Sequence, residues 1–399
     1  HERLVGSEMC IRDSYITASY RRDGSSVFGS SNKWGNFGAF GGAWRISNEK
    51  FLRKFEELDD LKLKVSWGRN GNQGLQQYST LSKVVSGPTG GIYYPFDNSG
   101  KPSYGIDLTT IGNVNLGWET TDAWNIGFES SWFDNRILLN IDAYFSRTYD
   151  QIFLRTIPVM SGFKTMYSSM GEVKNRGVEI SLNSTNIKTK DFTWNTSFTF
   201  WLNRNELAHL YGEDLDNDGK EDDDIGNTLF IGESIHSIFG YEQDGIVQVS
   251  DTEYMKANGV EAGTPKYVDK NQDGVIDAKD RSIIGNTDPN FKLNMSNTFK
   301  YRNWELYFML AGTFGGNGYF QKSNPYAYIT SGSRSAFACN GLYIPYWTEE
   351  NPSNKYPSAR FAGDNYFLGL QSRSYVRLQD ITLSYTSVSY THLTLPTIA

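Results

Sequence analysis

Apolar and polar residues alternate with a period of two along most of this chain. The clearest run is 171–203. From Val178 onward, Val178, Ile180 and Leu182 fall on one side, and Glu179, Ser181 and Asn183 fall on the other. After a polar connection at 186–191 the pattern resumes. Phe192, Trp194, Thr196, Phe198, Phe200 and Leu202 then oppose Thr193, Asn195, Ser197, Thr199 and Trp201. Successive side chains of a strand point to opposite faces, so each segment has one apolar and one polar face. Two such segments joined by a short polar link predict an antiparallel hairpin. Comparable strands are predicted at 15–22, 34–45, 61–69, 121–133, 136–148, 290–301, 304–312 and 375–385.

A soluble two-sheet sandwich gives this pattern, and so does a membrane barrel with an apolar lipid face and a wet lumen. Strand length and connection length separate them. Many of the segments run to about ten residues, the length a tilted strand needs to cross a bilayer. Asp134-Asn135 and Arg302-Asn303 are short turns, whereas 71–111, 209–285 and 314–373 are long and polar. Short turns at one end and long loops at the other match outer-membrane barrels. On that reading Ile137, Leu139, Ile141, Ala143 and Phe145 face lipid, while Asn140, Asp142, Tyr144 and Ser146 face the lumen. Val178, Ile180, Leu182, Phe198 and Phe200 join the lipid set. Glu179, Ser181, Asn183, Asn195 and Ser197 join the lumen set. The expected fold is therefore all-β, an antiparallel transmembrane β-barrel. No long amphipathic helix is predicted; 48–60 is a short candidate at most.

Composition narrows the function classes. With 399 residues, 38% hydrophobic content and a mean hydropathy of −0.50, the chain has no apolar run long enough for a membrane-spanning helix. Aromatic residues reach 15%, which suits barrel girdles or a carbohydrate-binding β protein. A net charge of −7 argues against nucleic acid as a partner, because phosphate neutralisation needs a basic surface. Cys10 and Cys339 make no disulfide framework. His209 and His236 stand beside no nucleophile or second ligand. The glycine-rich stretches 38–42 and 312–318 lack the lysine and following helix of a phosphate loop. Enzymatic activity is not expected. At the ends, 6–14 and 388–399 resemble conceptual translations of sequencing-adapter DNA. Residues 1–13 and 388–399 are therefore expected to be non-native, leaving 14–387 as a fragment of a longer barrel.

The sharpest chemical motif lies at 269–280. Asp269, Asn271, Asp273, Asp277 and Asp280 occupy loop positions one, three, five, nine and twelve of a calcium loop, with Gly274 at six and the Val275 carbonyl at seven. Asp280 stands where glutamate usually binds in a bidentate way, and no helices flank the loop. Its alternative is an Asp/Asn/Gly-rich turn held by its own hydrogen bonds. A second acidic run at 214–224 starts in the same way but has Ile225 at position twelve, so a solvated loop is expected there. Among the long-loop aromatics, Tyr78, Tyr93, Tyr94, Phe96, Tyr326, Tyr328 and Trp347 are candidates to stack on sugar rings; a place in the interfacial girdles or packing of loop against loop is their other reading.

Several stretches together resemble the SusC/RagA-like TonB-dependent transporters of the Bacteroidetes outer membrane. They are Tyr20-Arg-Arg-Asp-Gly-Ser-Ser-Val-Phe-Gly29, Lys33-Trp-Gly35 and Gly42-Ala-Trp-Arg-Ile-Ser47, then Asn115-Leu-Gly-Trp-Glu-Thr-Thr121 and Phe133-Asp-Asn-Arg136. Gly171–Ile180, Leu229-Phe-Ile-Gly232, 240–245, Asp280-Arg-Ser-Ile-Ile-Gly285 and Ser374–Leu383 continue the likeness in family order. The resemblance implies the C-terminal-side portion of a barrel of roughly 22 strands, with the plug domain absent from this chain. It further implies import of oligosaccharides or peptides, with a SusD-like lipoprotein as extracellular lid. Energy would come from the TonB complex through a missing N-terminal region. Two other readings stay open: a secreted calcium-stabilised β-sandwich that binds polysaccharide, and a passive porin or adhesin.

Overall fold

The computed structural model describes residues 5–11, 14–29, 31–52, 54–86, 93–94, 103–163, 165–319, 345–361 and 369–387. It divides into two compact units: 1–204 with 291–313 and 375–399, and 205–290 with 314–374.

The first unit is built on one large sheet. Its strands follow the chain as a meander: Val5–Ile11, Ser14–Gly24, Trp34–Arg45, Leu58–Asn72, Glu119–Trp132, Ile137–Thr156, Thr165–Lys188, Phe192–His209, Phe291–Tyr301, Trp304–Phe314 and Tyr375–Tyr385. Lys83–Ser86 and Ile106–Ile111 pair off this path, the latter in parallel with the start of Thr165–Lys188. Val5–Ile11, set outside the native fold on sequence grounds, runs antiparallel to Ser14–Gly24. An edge strand offers unpaired backbone groups to whatever segment adjoins it.

Register lines the apolar residues up in rows. Val65, Ile126, Ala143 and Val178 are consecutive partners across four strands, as are Leu63, Phe128, Ile141 and Ile180. Polar rows alternate with them: Lys64, Gly127, Asp142 and Glu179 lie between the two, and Lys62, Glu129, Asn140 and Ser181 lie beyond the Leu63 row. Directly opposed side chains share a face, so the alternation of each strand adds up to one apolar and one polar surface. Among the described residues no second sheet covers the apolar surface: Phe40, Trp124, Ile126 and Phe145 are 55%, 51%, 46% and 53% exposed. A sandwich buries such residues between its sheets, so the sandwich expectation fails here. The polar surface carries charge instead, where Glu129 accepts from Lys62 at 3.1 Å and from Lys64 at 2.5 Å.

One polar group sits in an apolar row. Asn297 lies opposite Thr196, two places along from the Trp194–Phe299 pair, and is only 5% exposed. Its side-chain oxygen accepts from the Trp194 indole N–H at 2.9 Å and from the Thr196 hydroxyl at 2.7 Å. A buried amide is tolerated when its bonds are made.

Most strands begin close to where the sequence places them, but Thr165–Lys188 starts well ahead of the alternation that opens at Val178, and Ile137–Thr156 and Phe192–His209 end much later than the pattern predicts. Ile137–Thr156 has 20 residues, Thr165–Lys188 has 24 and Phe192–His209 has 18. The register shifts between Thr148 and Gln151, where Asp150 takes a positive φ of 54°. A bulge of this kind breaks the alternation while the ladder continues beyond it, so the pattern alone predicts an end at 148. The link predicted at 186–191 shrinks to 189–191, closed by Thr189 N–H to Phe192 O at 2.8 Å. At the turn after Trp132, Phe133, Asp134 and Asn135 all have φ near +58°. Left-handed backbone at both central residues is what a tight hairpin requires, and Asp and Asn tolerate it.

The second unit has its own small core, with Leu207, Leu210, Ile246 and Val247 all but inaccessible. Ser237–Tyr241 pairs with Arg281–Asn286, Gln243–Ile246 pairs with Pro265–Tyr267, and Thr252–Asn258 is a short helix. Among the described residues no helix is long and apolar enough to cross a membrane, which says nothing about strands.

The two surfaces predict opposite behaviour. Spin labels at Val178, Ile180 and Leu182 should respond to lipid-soluble quenchers, and labels at Glu179, Ser181 and Asn183 to water-soluble ones; equal responses would refute the assignment. Ile141→Arg should cost about 2–4 kcal/mol in urea unfolding from lipid vesicles if the residue lies near mid-bilayer. A lumen-side change such as Asn140→Ser should cost little.

Candidate functional site

The chemistry-bearing side chains gather in the second unit. The 269–280 loop folds around its own carboxylates. Asp269 accepts from the backbone N–H of Gln272 and of Gly274, both at 2.7 Å. Asn271 Oδ1 accepts from Asp273 N at 3.0 Å, and Asp273 Oδ1 from Val275 N at 2.9 Å. Gln272 and Gly274 take positive φ of 61° and 86°, which is why glycine suits position six. Asp277 caps a short turn by accepting from Lys279 N at 2.7 Å.

Asp280 is the keystone of this loop. Its side chain is fully buried, and its two oxygens accept from Lys270 N and Asp277 N, each at 2.8 Å. The Asp277 N–H, with the other backbone donors behind it, holds the Asp280 carboxyl below the usual carboxylate range, against the opposing effect of burial. A short carboxylate at position twelve thus reaches back to clamp the start of the loop.

The 214–224 run adopts the same turn. Asp214 accepts from Asp218 N at 3.1 Å and Gly219 N at 3.0 Å, Asp218 Oδ1 accepts from Lys220 N at 2.8 Å, and Asn217 and Gly219 have φ of 60° and 83°. Among the described residues, Asp214, Asp216 and Asp218 are the one set of three acidic groups whose oxygens lie within 4.8 Å of one another. The 269–280 loop does not gather three carboxylates in this way, because position three there is Asn271. Glu221 does for this turn what Asp280 does for the other: it accepts from Leu210 N at 2.8 Å and Gly212 N at 2.6 Å, and it pairs with His209.

Of the aromatic candidates, Tyr78 and Trp347 have described side chains. Trp347 is 8% exposed, and its indole N–H donates to Gln248 Oε1 at 3.0 Å. It packs against Gly263, where an added Cβ would meet the indole at 2.5 Å. Trp347 is thus a packing residue of the second unit, with no open ring face for a sugar. Tyr78 is 71% exposed and belongs to the first unit. Tyr93 and Tyr94 pair with Tyr104 and Ser103 in a two-residue ladder. Phe96, Tyr326 and Tyr328 lie outside the described residues.

A further concavity was not legible in the sequence. Tyr241, Tyr267, Arg281 and Asn354 converge on a pocket of about 610 Å³ in the second unit. They are dispersed along the chain: strand pairing positions Tyr241, Arg281 and Tyr267, and Asn354 is held beside them by accepting from Ile246 N. The one local hint is the alternation Phe239, Tyr241, Gln243 along a strand edge.

Comparison with known proteins agrees with this architecture. The family model described as TonB dependent receptor-like, beta-barrel matches residues 14–398. TonB-dependent receptor P26 of Formosa agariphila is 32% identical over 388 residues, covering 94% of this chain and 38% of that protein. TonB-dependent receptor SusC of Bacteroides thetaiotaomicron is 30% identical over 386 residues, covering 93% and 36%. The structure of the RagAB peptide importer in its closed-closed state superposes with a TM-score of 0.70 at 26% identity, covering 94% of this chain and 39% of that one. The chain spans a little over a third of the length of these relatives.

Two outcomes test the loop architecture. Because the folded pKa of Asp280 is depressed, its contribution is complete above the ordinary aspartate range and is lost only as pH falls through the lowered value. Hydrogen exchange should therefore show the Lys270 and Asp277 amides still protected at a pH where an ordinary aspartate is half protonated, with protection lost at lower pH. Trp347→Ala should cost about 3–5 kcal/mol in this unit, as large-to-small core changes do, and should show as faster proteolysis of 205–290.

Proposed function

This chain belongs to the TonB-dependent receptor family of outer-membrane β-barrels, and from that premise we propose that it supplies wall and extracellular loops of a nutrient importer working with a SusD-like lid lipoprotein. The family comprises receptors and transporters, not enzymes. The observation that carries the proposal is the two-faced sheet: an uncovered apolar surface suited to lipid, backed by a charged surface suited to a wet lumen. Likeness to SusC and to the RagAB peptide importer supports a SusC/RagA-like role, in a Bacteroidetes-type outer membrane.

On this reading the cargo is an oligosaccharide or a peptide, and it is held among the loops before entering the barrel. Energy comes from the TonB complex, as the family's name implies; the chain spans a little over a third of the length of its relatives. Deleting the gene should abolish growth on one glycan or peptide source, and dissipating the proton gradient should stop uptake in the intact strain. Uptake that continues without the gradient would replace this reading with a passive porin.

Calcium at 269–280 is a second part of the proposal. Asp269, Asn271, Asp273, Asp277 and Asp280, with the Val275 carbonyl, would hold it, and the ion would cross-link the two ends of the loop. The donors fit in kind, since all are oxygens; a carboxylate oxygen that accepts one N–H keeps a second lone pair, as Asp280 Oδ2 does, whereas Asp280 Oδ1 already accepts from Lys270 N and Asn271 N. Calcium titration of Asp273→Ala should show at least a tenfold loss of affinity. If affinity is unchanged there but falls in Asp216→Ala, the ion belongs to the 214–218 cluster instead.

A further inference from the structure

We propose that the pocket in the second unit is a binding site for an acidic saccharide, a sugar ring bearing a carboxylate; this rests on the importer reading above. Two short antiparallel pairs build it. In one, Tyr241 lies directly opposite Arg281; in the other, Gln243 lies opposite Tyr267. Asn354 and Lys355 complete the lining from a later stretch of chain. At about 610 Å³ the cavity lies within the roughly 300–1,000 Å³ of small-ligand sites.

The walls are aromatic. Tyr241 and Tyr267 stand with ring centroids 5.5 Å apart at 46°. Arg281 holds its guanidinium 5.2 Å from the Phe239 ring centroid. Stacking engages the flat face of the guanidinium and leaves its N–H edge available for hydrogen bonds. Among the described residues, neither Arg281 nor Lys355 forms an ion pair. The acidic group of the lining, Glu242, is paired with Lys270. Two cations that have no carboxylate partner among the described residues therefore line a pocket in a chain whose net charge is −7, with Lys355 Nζ 5.3 Å from the Tyr356 ring centroid. Solvated arginines and lysines are common on surfaces, but here both sit in one concavity beside aromatic rings and amides.

That combination selects a ligand. A planar carboxylate matches the donor fork of Arg281, the apolar face of a sugar ring suits Tyr241 and Tyr267, and hydroxyls suit the amides of Gln243 and Asn354. Asn354 is already positioned, since its Oδ1 accepts from Ile246 N at 3.0 Å. Gly245, at φ +93°, lets the backbone run against that amide: a Cβ there would lie 2.2 Å from Asn354 Oδ1.

The test is calorimetric titration of the full chain in detergent micelles with trigalacturonate, maltotriose and triglutamate. Trigalacturonate should bind most tightly, and more weakly as salt is raised, because exposed charges are screened. Arg281→Gln should weaken it about tenfold or more, the scale of a lost charge-assisted hydrogen bond, with Lys355→Gln in the same direction. Maltotriose should bind at least tenfold more weakly and be indifferent to Arg281→Gln. The proposal is overturned if maltotriose matches trigalacturonate, if triglutamate binds more tightly, if no saccharide binds, or if both variants bind like the parent. Heat-modifiable gel mobility, run on every variant, reports the barrel separately. If that mobility is absent from the complete receptor that carries this chain, the importer reading fails, whereas a failed pocket leaves it intact.

Discussion

Every backbone N–H and C=O of a strand in hydrocarbon must find its partner on a neighbouring strand, because no water is available to take its place. That requirement dominates the first unit. It makes each strand depend on the register of the next, and register in turn decides which side chains share a row. Val65, Ile126, Ala143 and Val178 present one apolar surface only because their strands are neither slipped nor reversed. A slip of one residue would bring Glu179 and Asp142 into the rows where Ile180 and Ile141 now lie. The tight turn at 133–135 pins this register from one end, with three consecutive residues in left-handed backbone.

The same ladder explains why the strands outrun the membrane. A strand of 24 residues is roughly 80 Å long when extended, more than twice a hydrocarbon core of about 30 Å. Beyond the bulge at Thr148–Gln151 the backbone still pairs, although side chains no longer alternate cleanly. Pairing therefore persists where the lipid constraint on side chains has ended. In the second unit the constraint is of another kind. Its loops lack long ladders, so buried or half-buried side chains satisfy the backbone in their place. Asp280 and Glu221 each gather N–H groups from residues nine to eleven positions away, and each closes an acidic turn.

The strands were legible in the sequence because period-two alternation is a local property, and a half-apolar surface imposes it residue by residue. Trp34–Arg45 and Tyr375–Tyr385 have the boundaries that pattern predicts. The strand ends were less legible wherever a bulge, as at Asp150, uncoupled pattern from pairing. The turn at 269–274 was also readable, since Asp, Asn and Gly at fixed offsets make their own hydrogen bonds. Trp347 was not, because an exposed sugar platform and a packed indole are the same letter in the sequence. Its burial depends on Gln248 and Gly263, far away in the chain.

The sequence by itself thus determined the all-β class, the two faces of each strand, the tight turns and the Asp/Asn/Gly turn at 269–274, all of which arise from interactions between near neighbours. Only the tertiary structure decided that the apolar faces join into one surface that no second sheet covers among the described residues, which removes the sandwich. It alone showed that Asp280 is buried as a clamp, and that Tyr241, Tyr267, Arg281 and Asn354 meet around one cavity. These outcomes depend on pairing between segments far apart in the chain, and residue order does not encode such pairing locally.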